Sequence, residues 1–69
     1  MYISENEVMQ QVLDNCDFVA EALNYIWHGM TDRAEVEADV RECLEDYDAT
    51  EDDVQEYTDK VMCAIEEYK

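Results

Sequence analysis

From Val8 onward the apolar positions run Val8, Met9, Val12, Leu13, Cys16, Val19, Ala20, Leu23, Ile26 and Trp27. Steps of three and four hold such a set on one side of a 3.6-residue helix. Ser4 and Glu7 stand ahead of it at capping-box spacing, and Gly29 offers a left-handed stop behind it. The pattern predicts one long helix over residues 4–28. Its weak point is Asp14-Asn15-Cys16-Asp17, where cap-forming side chains compete for the backbone. The stripe keeps its phase across that stretch, which favours a continuous helix.

Two shorter patterns follow. Thr31, with Asp32 in the first turn, reads as the cap of a second helix over 32–47 whose apolar positions are Val36, Val40, Cys43, Leu44 and Tyr47. Thr50 and Asp53 approximate a capping box for a third helix over 51–68, which buries Val54, Tyr57, Val61, Ala64, Ile65 and Tyr68. No stretch alternates with period two, there is no proline, and Gly29 is the one glycine. Residues 1–69 therefore read as a single all-α domain, an antiparallel three-helix bundle with the long first helix as its spine.

Charge changes the picture more than composition does. Twenty acids against four bases give a formal net charge of −16. High net charge argues for disorder, but 48% apolar residues in helical phase argue for a fold. Phosphate backbones and anionic lipids are repelled by such a chain, so direct nucleic-acid or membrane binding is excluded as a function class. No apolar run approaches the roughly 20 residues of a membrane span. The first residues, Met1-Tyr2-Ile3-Ser4-Glu5, lack the basic region of a secretory leader, which points to the cytoplasm.

Chemistry-bearing residues are few. Cys16, Cys43 and Cys63 are odd in number and widely spaced, as expected of free thiols; the first two fall on apolar faces as small core residues. With no CxxC pair and His28 as the only histidine, no zinc site is expected. An EF-hand loop starting at Asp46 would need glycine where Glu51 stands and a bidentate acid where Tyr57 stands. An acyl carrier needs a serine opening an internal helix, and Ser4 is the only serine. Carboxylate catalysis needs a dry pocket that a bundle this small hardly has room for. The expectation is a protein without catalytic residues or a cofactor.

The acids themselves form the candidate site. Residues 1–30 carry five of them and residues 31–69 the other fifteen. On the two later helices Asp39, Glu42, Asp46, Asp52, Glu56 and Asp59 lie away from the apolar positions, almost unrelieved by bases. Acids at i,i+4 repel one another, so selection for folding alone would interleave lysines. Rows of carboxylates along neighbouring helices can imitate B-DNA, which presents one charge per roughly 1.7 Å. In size, acidity and these stripes the chain resembles the short acidic inhibitors of phages and mobile elements, among them anti-CRISPR proteins and anti-restriction DNA mimics. That resemblance implies a cytoplasmic inhibitor seated in the basic nucleic-acid groove of a protein partner. No family motif accompanies it, so no functional residue is carried over.

A second set, Phe18, Ala22 and Tyr25, recurs at i, i+4 and i+7 on the side of the first helix opposite its main stripe. It reads as a homodimer seam or, with Tyr57, as an aromatic hot spot for the partner. Burial of the helix on two sides, or a phase shift near Asn15, would account for it equally well. The alternative function is accordingly a non-enzymatic adaptor or regulatory subunit, dimeric through an apolar seam.

Overall fold

The computed structural model describes residues 5–69, with the backbone alone for residues 5 and 6, so the Ser4 cap lies outside the described residues. In chain order they form α1 (Glu5–Asn15), α2 (Phe18–Trp27), α3 (Arg33–Cys43), a 3₁₀ turn (Glu45–Tyr47) and α4 (Glu51–Tyr68), with no strand among them. The protein is all-α, as expected. The expected three-helix bundle with a long first helix is not what forms: the described residues make four α-helices, because the first splits in two, and the longest is the last, α4, with 18 residues. Both α2 and α3 pack on α4, and α1 rests against the 3₁₀ turn.

The expected first helix breaks where cap-forming residues cluster. The Asn15 side-chain amide donates to the Gln11 carbonyl at 2.9 Å, closing α1. Asp17 turns extended, at φ −85° and ψ 91°, and its carboxylate accepts the Ala20 N–H at 3.1 Å as the N-cap of α2. Two residues leave the helix at this point, and the face that follows is a different one. Ala22 and Tyr25 are buried and Phe18 is half-buried, while Val19, Leu23 and Trp27 point to solvent. Val8, Ala20, Tyr47 and Tyr68, also assigned to apolar faces, are exposed as well.

The ends of α2 and α4 follow the sequence closely. Gly29 sits at φ +74°; its N–H reaches the Ile26 carbonyl at 3.0 Å, and the Met30 N–H reaches the Tyr25 carbonyl at 2.8 Å. These two bonds are the Schellman pattern that ends a helix at a left-handed residue. At α4 the Thr50 hydroxyl accepts the Asp53 N–H at 3.2 Å and the Asp53 carboxylate accepts the Thr50 N–H at 3.1 Å.

The second helix is shorter than expected at both ends. Asp32, not Thr31, is its cap, accepting the Ala34 N–H at 3.3 Å. At the far end the chain tightens into the 3₁₀ turn and leaves it through Asp48 at φ +54°, a conformation aspartate tolerates better than most residues. Val36, Val40 and Leu44 from this region meet Val54, Tyr57, Val61 and Ile65 of α4 in one core, with Met9 and Leu13 of α1 closing one end. Each fully buried aliphatic side chain contributes about 1.5–3 kcal/mol.

Candidate functional site

The acidic surface is built on the α3–α4 pair, and a polar seam sets that pair's register. Arg33 faces Asp59 at 2.6 Å and Gln55 at 2.9 Å. One turn along α3, Glu37 meets Gln55, and one turn further Arg41 forms a two-pronged bond to Glu51, its second arm at 2.9 Å. Positions 33, 37 and 41 therefore run antiparallel to 59, 55 and 51, each helix advancing one turn per step. The hydrogen bond from Arg41 holds the Glu51 carboxyl below the usual carboxylate range, and the same bond raises the Arg41 guanidinium. Such exposed pairs are worth about 0–1 kcal/mol each, so the seam fixes register more than it adds stability.

The other two bases are also occupied by the protein itself. Lys69 pairs with Glu66 at 2.9 Å, and the Lys60 ammonium lies 5.9 Å above the Phe18 ring. All four bases are therefore engaged by the protein's own side chains, Arg33, Arg41 and Lys69 by exposed acids, and among the described residues none of them pairs with Glu42, Asp46, Asp52 or Glu56.

The six acids expected to bind a partner divide into two groups. Glu42, Asp46, Asp52 and Glu56 are exposed, and among the described residues they make no ion pair. Asp59 is exposed but engaged by Arg33. Asp39 is half-buried and accepts a 2.6 Å hydrogen bond from the Tyr25 hydroxyl, so it belongs to the core boundary rather than to a free surface.

The expectation of an exposed seam at Phe18, Ala22 and Tyr25 is corrected by the break at Asp17. Ala22 is fully buried, and burial followed by the Asp39 hydrogen bond pushes the buried Tyr25 phenol well above its usual range. Phe18 packs edge-on to Tyr57, ring centres 5.0 Å apart at 68°. Tyr57 is likewise buried, with its hydroxyl 3.1 Å from Cys16 Sγ; burial first, and that contact second, push its phenol up. These aromatics hold α2 on α4. The large apolar side chains α2 offers to solvent are Val19, Leu23 and Trp27, which the sequence pattern had placed in the core.

Cys43 is another correction, since it lies exposed, 4.0 Å from the Asp39 carboxylate. Partial burial and that carboxylate push its thiol up and make it a poor nucleophile. Cys16 is half-buried and Cys63 exposed. His28 caps the C-terminal end of α2. Among the described residues no three His, Cys, Asp or Glu side chains are grouped to hold a metal ion, and no pocket forms. None of their helices is long and apolar enough to cross a membrane.

No known family model, curated protein or solved structure matches the chain.

Proposed function

We propose that this protein is an acidic inhibitor that occupies the basic nucleic-acid groove of a protein partner, in place of the nucleic acid. One observation carries the reading: the molecule is elongated, its acids exceed its bases by sixteen, and each base is already engaged by the protein's own side chains. The protein extends 42 Å along its longest axis and carries sixteen net negative charges, about one per 2.6 Å. A B-DNA duplex of that length carries about 25 phosphates, so this chain has roughly two thirds of the line charge of DNA. A groove evolved for phosphate would meet a comparable field here.

Glu42, Asp46, Asp52 and Glu56 are the groups assigned to the contact, because they are exposed and make no ion pair among the described residues. Asp39 and Asp59 leave the set: Tyr25 holds the first and Arg33 the second. Electrostatic complementarity of this kind speeds association and rejects acidic competitors.

The test is competition. The protein, immobilised, is used to capture partners from a bacterial lysate at low salt, and duplex DNA or RNA is then added. The expected result is release of a nucleic-acid-binding protein by the duplex, and also by roughly half-molar salt, because the range of the attraction shrinks to about a few ångströms. A partner that stays bound while it holds its own nucleic acid would rule out groove mimicry.

A further inference from the structure

Val19, Leu23 and Trp27 form an apolar ridge along the outside of α2, exposed by 41%, 48% and 85%. They stand at i, i+4 and i+8, so the ridge is about 12 Å long. Two properties of this face say what covers it.

The first is its charge. On a chain with twenty acids, residues 18–31 contain one, Glu21. Glu21 is half-buried and raises the phenols of Tyr25 and Tyr57, so it faces inward, away from the ridge. The other exposed side chains of α2, Ala20 and Asn24, are neutral. A basic partner would find nothing here to pair with and would be drawn to the acids of α3 and α4. Two copies of this chain, each at −16, repel one another at an acid-bearing face and can approach at this neutral one.

The second is its symmetry. Leu23 stands four residues from Val19 on one side and from Trp27 on the other. A two-fold axis passing beside Leu23 sets the two copies' Leu23 side chains together. It also lays each Trp27 against the other copy's Val19. Contacts of this self-complementary kind are the ones a closed dimer uses. Ridges of i±4 spacing on both helices interlock at a crossing angle of about −50°.

We infer that the protein forms a two-fold homodimer through α2, with Leu23 at the axis and Trp27 and Val19 on either side. The seam is the opposite face of the helix from Phe18, Ala22 and Tyr25. The inference does not rest on groove mimicry, and salt separates the two. Mimicry weakens as salt rises, whereas this dimer strengthens, because screening removes repulsion between the copies.

The experiment is sedimentation equilibrium from low micromolar to millimolar concentration at low and high salt, paired with tryptophan emission. Trp27 is the only tryptophan, so its emission reports the seam directly. The expected result is a mass rising from one chain to two, at lower concentration in high salt, with a blue shift that follows the mass. Trp27→Glu and Leu23→Glu should remain single chains with helicity unchanged, since both positions face solvent in the monomer. A wild type that stays single at millimolar concentration in high salt overturns the inference and leaves the ridge to another protein. So does a mass that climbs beyond two, or a Trp27→Glu variant that dimerises like the wild type.

Discussion

The Tyr25 hydroxyl donates a 2.6 Å hydrogen bond to the Asp39 carboxylate, tying α2 to α3 in a molecule whose main packing runs from each of them to α4. The bond is charge-assisted and partly shielded from water, the setting in which a hydrogen bond contributes most. Tyr25→Phe keeps the ring in the core and removes the donor. The expected cost is about 1–3 kcal/mol in urea unfolding, because Asp39 stays half-buried without that partner.

The same geometry sets a pH limit on the alkaline side. Tyr25 and Tyr57 both have phenols raised above the usual value, chiefly by burial. A group raised in the folded state favours its protonated form there. The stability this supplies is fully present below the unfolded value of about 10 and is lost as pH rises above it. Unfolding free energy measured by urea should therefore fall more steeply above pH 10 in the wild type than in the Tyr25→Phe/Tyr57→Phe variant. Equal slopes would mean that these phenols are not what limits alkaline stability.

How much of this was legible in the sequence depends on whether a signal is local. The Thr50–Asp53 box and the Gly29 stop were legible because caps act within a few residues. The core positions Val36, Val40, Val54, Val61 and Ile65 were legible because each lies within a single unbroken helix, and Leu44 because it directly caps α3 in the same phase. Residues 16–27 were not, because two periodic stripes joined end to end look continuous when the break between them preserves the spacing. The signal that weighs against continuity is Asp17 itself, a residue that caps better than it propagates. The α3–α4 seam was open to the same kind of reading from the one-turn spacing of Arg33, Glu37 and Arg41 against Glu51, Gln55 and Asp59. The Tyr25–Asp39 bond was not, since its partners are 14 residues apart on different helices.

The break at Asp17 can be tested directly. Asp17→Ala removes the carboxylate that accepts the Ala20 N–H and should lower stability by about 1 kcal/mol. Asp14→Ala, exposed and outside the cap, should change stability by less than about 0.5 kcal/mol. Equal effects in thermal unfolding would show that general charge relief, not capping, governs this stretch.

Thr58 is fully buried on α4, and among the described residues its hydroxyl has no hydrogen-bond partner. An unsatisfied buried hydroxyl costs roughly 1–3 kcal/mol. Thr58→Val replaces it with a methyl of similar shape and should raise stability by about 1 kcal/mol. Thr58→Ser keeps the hydroxyl and loses the methyl, so it should be destabilising. A valine variant less stable than the wild type would mean that the hydroxyl does find a partner, such as a carbonyl one turn back along the helix.

The groove-mimic reading predicts a graded response to charge reversal. Exposed charge pairs are worth about 0–1 kcal/mol each, so Glu42→Lys, Asp52→Lys or Glu56→Lys alone should weaken partner binding by no more than about fivefold. The three together change the net charge from −16 to −10 and place bases among the acids assigned to the contact. That variant should bind too weakly to displace nucleic acid from the captured partner. Its fold should survive, because all three positions are exposed and, among the described residues, make no ion pair that lysine would remove. Circular dichroism before the competition assay separates loss of binding from loss of structure. Trp27→Ala, on the uncharged face of α2, serves as the control and should leave single-chain competition intact. If the folded triple variant competes as well as the wild type, the acids of α3 and α4 do not contact the partner, and their charge acts only on the solvation of the surface.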